Sequence, residues 1–439
     1  MTNTSFDNST IVVGVAGGIA AYKSCHVVRG FKEDGANVVV VPTSAALNFV
    51  GKATFEALSG NPVSTTVFDA VDEVRHVNVG QHADLIVVAP ATADLIARVA
   101  MGRADDLLTA TLLVATCPIV LVPAMHAEMW SNAATRENVA TLRRRGIIVM
   151  DPAHGRLTGA DTGPGRLPDS DQIIDFAKTV ARTKVMPRDL VGKKVLISAG
   201  GTQENIDPVR YVGNRSSGRQ GFALAEIASQ RGAEVTVVAG ATDKLPVPCG
   251  ARVVNVTSAV EMQRECMREA RNSDVVIMAA AVADFRPREI ASAKMKKGTA
   301  DSSLQVISMV ENPDILRGLV EQRQGEKPVI VGFAAETGDA NHTPLEFARQ
   351  KLNRKKCDLL MCNEVGVDKV FGKADNSGYL LSRQGNVEEI SQGSKHWIAF
   401  NILNHVVRLL DVMSRDVVLA PARNDTVPIQ EVSVQTACH

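Results

Sequence analysis

Residues 195–221, VLISAGGTQENIDPVRYVGNRSSGRQG, decide the fold. A run rich in Val and Ile ends in paired glycines, crosses a polar loop with one proline, and returns to apolar periodicity at Phe222, Ala223 and Leu224. That order is strand, loop, helix. The glycines let the backbone approach a ligand, and the helix offers unpaired N–H groups and the positive end of its dipole to an anion. Asn214, Arg215, Ser216, Ser217 and Arg219 add donors and positive charge just ahead of it. The stretch reads as a phosphate site, and its loop chemistry carries that reading further than the glycine pair alone.

A second opening of this kind, IVVGVAGGIAAYK at 11–23, lies about half a chain upstream. Two openings predict two domains, at 1–186 and 187–415, followed by a tail at 416–439 read as disordered. Apolar runs alternate with helical patterns throughout, which predicts an α/β fold with a doubly wound, Rossmann-like parallel sheet in each half. Strands are expected at 11–16, 37–41, 84–89, 118–123 and 146–150, with helices in the intervals. DGANVVVVPT at 34–43 echoes RGAEVTVVAG at 231–240, and ADLIVVAPATADL at 83–95 echoes SDVVIMAAAVADF at 273–285. The echo concerns architecture and carries no function. DPAHGRLTGADTGPGRLPDSD, at 151–171, is too polar for a core and long for a connector, so it reads either as a mobile flap over a site or as a plain surface loop. A helix near 170–182, a linker at 183–194 and a last helix at 394–414 complete the outline.

A chain of 439 residues, 45% hydrophobic, can bury a core in each half without disulfides or metal. Lysine plus arginine (48) balances aspartate plus glutamate (48), which argues against nucleic-acid or membrane-surface partners. The seven cysteines form no CxxC pair, as expected for free thiols in a reducing cytoplasm. No positively charged leader or membrane-length apolar run is seen.

His76 and His82 precede the 84–89 strand; His76 is a candidate base and His82 reads as structural. PATAD, with Thr92, stands at the carboxyl end of that strand, where α/β sheets bind ligands. PAMHAEMW at 123–130 again follows a strand. Its His126 suits a carboxylate clamp, whereas a Met and Trp cluster is usually ordinary core packing. In the second half Asp284 and Lys294 follow a buried strand. Lys294, Lys296 and Lys297 are either neutralisers of a triphosphate or a solvated charge run. Asn312, Pro313 and Asp314 form a strand-to-helix junction, Phe333 ends another strand, and Lys351 and Lys355 share a helix face. GVDKVFGKA at 366–374 fails as a Walker A motif, and neither GG turn completes GxGxxG.

Taken in order, GGIAAYK, VRHVNVGQHAD, PATADLIARVAMGRADDLL, PAMHAEMW, GGTQENIDPVRYVGNRSSG, AAAVADFRP and GFAAET resemble the bifunctional phosphopantothenoylcysteine decarboxylases and phosphopantothenate-cysteine ligases of coenzyme A synthesis. The likeness covers nearly the whole chain. It implies a flavodoxin-like first domain in which Gly17, Gly18, Ile19, Thr43, Ala91, Thr92 and Ala93 hold FMN, His76 is the catalytic base, and His126 and Met129 bind substrate. It implies a second domain that uses CTP and Mg2+ to join cysteine to 4'-phosphopantothenate through an acyl-cytidylate. There Asn214 would meet the activated carboxylate and Lys294 would neutralise phosphate charge. Met278, Ala279, Ala280, Asp284, Pro313, Asp314, Ile315, Leu316, Phe333, Lys351 and Lys355 would hold CTP, with magnesium ligands unassigned. A homo-oligomer is implied as well, with first-domain trimers, second-domain dimers and a flavin site shared between subunits.

Two departures stand out. The family's substrate clamp has asparagine where this chain has His126, and its flap has a proton-donating cysteine where residues 151–168 have none. Thr158 and Gly159 lie nearest that position, and Asp161, a bound water or a cysteine from elsewhere are the alternatives. Two competing readings remain: a first domain that stops at oxidative decarboxylation and releases an enethiol, and a flavin-binding regulatory protein. A dinucleotide-dependent dehydrogenase is disfavoured by the glycine spacing.

Overall fold

The computed structural model describes residues 6–67, 75–156, 162–295, 306–336, 343–364 and 375–419. Five strands form the first sheet: β1 (Thr10–Val15), β2 (Asn37–Pro42), β3 (Leu85–Ala91), β4 (Ile119–Pro123) and β5 (Ile148–Val149). They pair in parallel in the order β2-β1-β3-β4-β5. β3 and β4 are buried at every position, which explains their unbroken apolar runs: helices cover both faces, so no alternation is required. All five expected strands are present, with ends shifted by a residue or two.

The second sheet has eight strands: β6 (Lys194–Ala199), β7 (Glu234–Ala239), β8 (Ala251–Asn255), β9 (Val275–Met278), β10 (Val329–Glu336), β11 (Leu359–Glu364), β12 (Asp375–Ser382) and β13 (Val387–Ser394). Their order is β8-β7-β6-β9-β10-β11-β12-β13. The echo between the halves has a structural meaning: β2 and β7 flank the opening strands β1 and β6 on one side, and β3 and β9 flank them on the other. Strand order reverses beside β1 and beside β6, and the resulting crevice at the carboxyl edge is where such sheets take ligands.

Four expectations need correction. The second sheet is not wholly parallel, because β12 and β13 pair antiparallel at its edge, where consecutive strands need only a short connection. The polar loop after β6 contains a ribbon, Gln203–Asn205 with Tyr211–Gly213, before its helix Arg219–Gln230 begins. The polar segment after β5 is an antiparallel hairpin, Ala153–Arg156 with Thr162–Arg166, and Ala153, Gly163, Gly165 and Leu167 in and beside it are buried. Small residues there let it pack as closely as a core element. Finally, the last helix runs from Lys395 to Leu419, past the expected start of the tail at 416, and residues 420–439 lie outside the described residues.

The helix Ser170–Thr183 follows the hairpin and joins the halves by packing on the last helix. Phe176, Ala177 and Val180 from it share one core with Ile398, Ile402 and Val406. Polar contacts fasten the seam. Glu226 accepts from Gln172 and lies 2.6 Å from His396 Nε2, and all three are buried. Arg231, 1% exposed, donates to both oxygens of Asp189 (2.8 and 2.6 Å) and to Asn404 (2.8 Å). Among the described residues no helix is long and apolar enough to cross a membrane, and the six described cysteines are unbridged.

Candidate functional site

The carboxyl edge of the first sheet opens into a cavity of about 780 Å³, within the size range of small-molecule and cofactor sites. Its walls come from the turn after β1 (Gly17, Gly18, Ile19), the turn after β2 (Thr43, Ser44, Ala45), the β3 end (Pro90, Thr92, Ala93), the β4 end (His126, Met129) and the hairpin (Gly165, Arg166). Thr92 caps its helix by accepting from Leu95 N (3.4 Å), and the buried Thr43 hydroxyl accepts from Ala46 N (3.2 Å), so each hydroxyl keeps its proton to donate. A Cβ on Gly17 would lie 2.4 Å from that of Ala45, so the two turns meet closely.

Eight of the nine expected first-domain binding residues therefore line one cavity, although they are scattered from 17 to 129. Ala91 does not: it is fully buried inside β3. His76 is also off the wall. It lies on the helix Arg75–Gln81, packed on the helix Leu107–Val114, and its Nδ1 is buried with no hydrogen-bond partner among the described residues. His82 bonds its own helix through Asn78 O (2.9 Å), the structural role expected of it. Thr158, Gly159 and Asp161 lie outside the described residues.

The walls also hold charges that the sequence reading passed over. Arg98 bonds Asp94 (3.1 Å), Asp105 (3.0 Å) and Asp106 (2.9 Å), and Asp106 closes a capping box with Thr109. Lys23 and Arg166 both approach Asp169, at 3.6 and 3.0 Å. Burial, then the neighbouring Arg166, pulls the Lys23 ammonium below its ordinary range against the opposing pull of Asp169. The i,i+4 spacing of Asp94 and Arg98 was the available signal, but ordinary surface helices carry it equally often.

At the second carboxyl edge, Gly201 exchanges bonds with Ala241 (both 2.8 Å), and Ala281 N donates to Gly200 O (2.8 Å). The turns after β6, β7 and β9 are thus tied together. Gly218 precedes the helix Arg219–Gln230 with φ +75°, and a Cβ there would lie 2.4 Å from Thr242 Cγ2, so only glycine lets the loop enter the helix at this point. Asn214 donates to Val282 O (2.9 Å) and Ala280 N to Ser198 (3.1 Å), which holds Asn214, Ala279 and Ala280 to the same edge. Asn312 donates to Asp284 O and Ala283 O, both 2.8 Å, and brings the turn 313–316 beside them. Met278 is buried at the end of β9, and Phe333 is half-buried on β10. Asp314 caps the helix Ile315–Gln322 and is also bonded to Lys355, so two expected nucleotide ligands hold each other. Lysine bonding, added to the capping N–H of Arg317, keeps the Asp314 carboxyl below its usual range although burial opposes this. Ile315 and Leu316 belong to that helix, Lys351 to the helix Pro344–Lys355. Lys296, Lys297 and 366–374 lie outside the described residues.

Lys294 is exposed, on a segment pinned by a residue not anticipated from sequence. Buried Asp207 accepts from Val209 N and Arg210 N (both 2.8 Å) and from Met295 N (3.3 Å). Burial favours its neutral form, but these three donors prevail and keep the carboxyl below its ordinary value. The Asp-Pro pair at 207–208 marks a turn; nothing in it foretells a partner 88 positions away.

Against known proteins, residues 2–182 match the Flavoprotein family model, and residues 190–410 match the model described as the DNA/pantothenate metabolism flavoprotein C-terminal domain. The chain is 55% identical over 405 residues to the coenzyme A biosynthesis bifunctional protein CoaBC of Mycolicibacterium smegmatis, covering 91% of this chain and 97% of that one. It belongs to the bifunctional coenzyme A biosynthesis family. The CoaBC protein of Vibrio vulnificus is 43% identical over 403 residues, covering 91% of this chain and 98% of the relative. A crystal structure of the C-terminal domain of a CoaBC protein is 35% identical, covers 51% of this chain and 98% of its own, and superposes with a TM-score of 0.43. The family member described here is accordingly a bifunctional enzyme of coenzyme A biosynthesis, with decarboxylase and ligase activities.

Proposed function

We propose that residues 1–186 bind FMN in the 780 Å³ cavity and decarboxylate phosphopantothenoylcysteine, and that residues 187–415 bind CTP and ligate cysteine to 4'-phosphopantothenate. The observation that carries the first assignment is the convergence of Gly17, Gly18, Ile19, Thr43, Thr92, Ala93, His126 and Met129 on one cavity. Their composition fits the group: small and apolar walls would admit a flat ring system, and the Thr43 and Thr92 hydroxyls would offer donors to its polar edge and phosphate. Bound there, FMN supplies a two-electron acceptor that later returns its electrons, so the chemistry is redox-neutral overall. Met129, 46% exposed on the wall, offers an apolar surface to substrate, and His126 offers an N–H to its carboxylate. His76, off the wall of its own chain, would serve the cavity of a neighbouring subunit. That placement supports a homo-oligomer, with first-domain trimers and second-domain dimers as the expected forms.

In the second half, the loop before Gly218 and the helix behind it receive the triphosphate. Lys294 neutralises charge developing on the phosphates as Asn214 orients the carboxylate that becomes the acyl-cytidylate. Lys355 and Asp314 exchange their mutual bond for contacts to the nucleotide. Among the described residues no group of three or more His, Cys, Asp or Glu is placed to hold a metal, so Mg2+ would enter with the triphosphate. The enzyme would act in the cytoplasm. Calorimetric titration with CTP, ATP, GTP and UTP, beside the visible absorbance of the purified protein, tests both sites. A yellow protein that prefers CTP is the expected outcome. A colourless protein that takes up no added flavin, or one without nucleotide preference, contradicts the assignment.

A further inference from the structure

Loss of CO2 from a carboxylate replaces a carbon–carbon bond by a carbon–hydrogen bond, so each turnover consumes one proton at that carbon. A positioned side chain delivers it faster than bulk water does. Of the titratable groups on the wall, Arg98 is fixed among Asp94 and Asp106, and arginine does not release its proton. The two aspartates are engaged as acceptors of that guanidinium. Arg166 keeps its proton as Arg98 does, and the Lys23 ammonium is paired with Asp169 at 3.6 Å. Tyr22 is 55% exposed, and a phenol, with an ordinary pKa of ~10, is a weak acid at neutral pH. His126 remains. Imidazole, ordinarily near ~6.5, is the side chain that both carries and surrenders a proton in that range.

The placement of His126 is equally specific. It follows β4, where Ala124 N donates to Ala91 O (3.1 Å) and Met125 N donates to Gly165 O of the hairpin (2.9 Å). Gly165 has φ +134°, and a Cβ there would sit 2.2 Å from Met125 O, so the hairpin presses directly on this turn. His126 is the N-cap residue of the short helix Ala127–Ser131, and it lines the cavity. The ring therefore stands on the wall where sheet edge and hairpin meet. Residues 151–168, which include that hairpin, contain no cysteine.

We propose that His126 is the catalytic acid of the decarboxylase half, in addition to contacting the substrate carboxylate; the proposal rests on the reading of residues 1–186 as the decarboxylase. The carbon–carboxylate bond breaks and CO2 leaves. The electron pair remains on the carbon, delocalised toward the adjacent sulfur-bearing carbon. A ring N–H of His126 breaks, its proton goes to that carbon, and the neutral imidazole is reprotonated by water.

The test uses the flavin-loaded full chain, with phosphopantothenoylcysteine as substrate, and compares wild type with His126→Ala and His126→Asn. Three quantities are read: CO2, the mass of the thiol product, and the pH profile. Substrate binding is measured separately by calorimetry. The expected result is that both variants keep their flavin and bind substrate within about tenfold of wild type, while saturated product thiol formation falls by ~10²–10⁴, the usual worth of a positioned acid. The variants also accumulate a product two hydrogens lighter, with the flavin left reduced until dioxygen reoxidises it, and their pH profile departs from that of wild type. Added imidazole partly restores His126→Ala. A rise in KM alone, with kcat, product mass and pH profile unchanged, overturns the proposal, as does wild type itself releasing the lighter product. Should flavin-loaded wild type release no CO2, the decarboxylase reading fails first, and the proposal with it.

Discussion

Replacing Glu226 by glutamine tests how the two halves are held together. Glu226 stands on the helix Arg219–Gln230, accepts from Gln172 of the first half, and meets His396 of the last helix at 2.6 Å. Burial works against the charged form of His396, but the hydrogen bond and charge of Glu226, helped by Asp175 at 3.9 Å, raise its pKa above the ordinary imidazole value. The side chains of both partners are about nine-tenths covered. Taking away one member of such a pair costs ~3–5 kcal/mol, because it leaves the other buried and unmatched. At about 2–4 °C per kcal/mol for a domain of this size, the melting temperature should fall by ~6–20 °C. A raised histidine contributes stability that is fully present below its unfolded value near ~6.5 and lost as pH rises through its folded value. Asp175, also raised, chiefly by burial, favours low pH in the same direction. The variant should therefore lie far below wild type at pH 6, and the gap should close toward pH 9. Thermal melts followed by circular dichroism at both values decide it. A gap equal at the two, or wider at pH 9, refutes the ionic account of the seam.

Other perturbations address single sites. Gly218→Ala forces a side chain into φ +75° against Thr242, and the strain of ~1–2 kcal/mol should displace the loop. Pyrophosphate release should fall while flavin absorbance stays unchanged. Arg98→Ala leaves Asp106 uncompensated beside the cavity, so bound flavin per chain, measured after denaturation, should drop several-fold. Asp207→Asn removes an acceptor that holds Met295 next to Lys294 and should lower ligase kcat with little change in decarboxylation. Because the Asp207 carboxyl is depressed, its contribution to stability is present above the unfolded value near ~4 and lost as pH falls through the folded one. Acid melts of wild type should steepen there, and those of the variant should not.

Much of this architecture is legible in the sequence because parallel strands buried on both faces must be apolar at successive positions. β3 and β4 announce themselves that way, and the two GG turns mark where each sheet begins. Thr92 and His126 were placed near one another because carboxyl ends of neighbouring parallel strands share an edge, whereas Thr43 and Met129 were named only through the family resemblance. The antiparallel strands β12 and β13 escaped because their alternating, half-polar text resembles loop. Arg98 was hidden in an ordinary helix pattern. The seam was hidden for a different reason: Gln172, Glu226 and His396 are spread over 225 positions, and no periodicity links them. His76 shows the limit from the other side, since its residue type suggested chemistry while its own chain keeps it away from the cavity wall.

The most direct measurement of the central claim is one reaction with purified protein, 4'-phosphopantothenate, cysteine, CTP and Mg2+, followed for pyrophosphate, CO2 and the mass of the final thiol. The account predicts one pyrophosphate and one CO2 for each 4'-phosphopantetheine formed. Absence of pyrophosphate, or its release with no CO2 from a flavin-loaded protein, contradicts it.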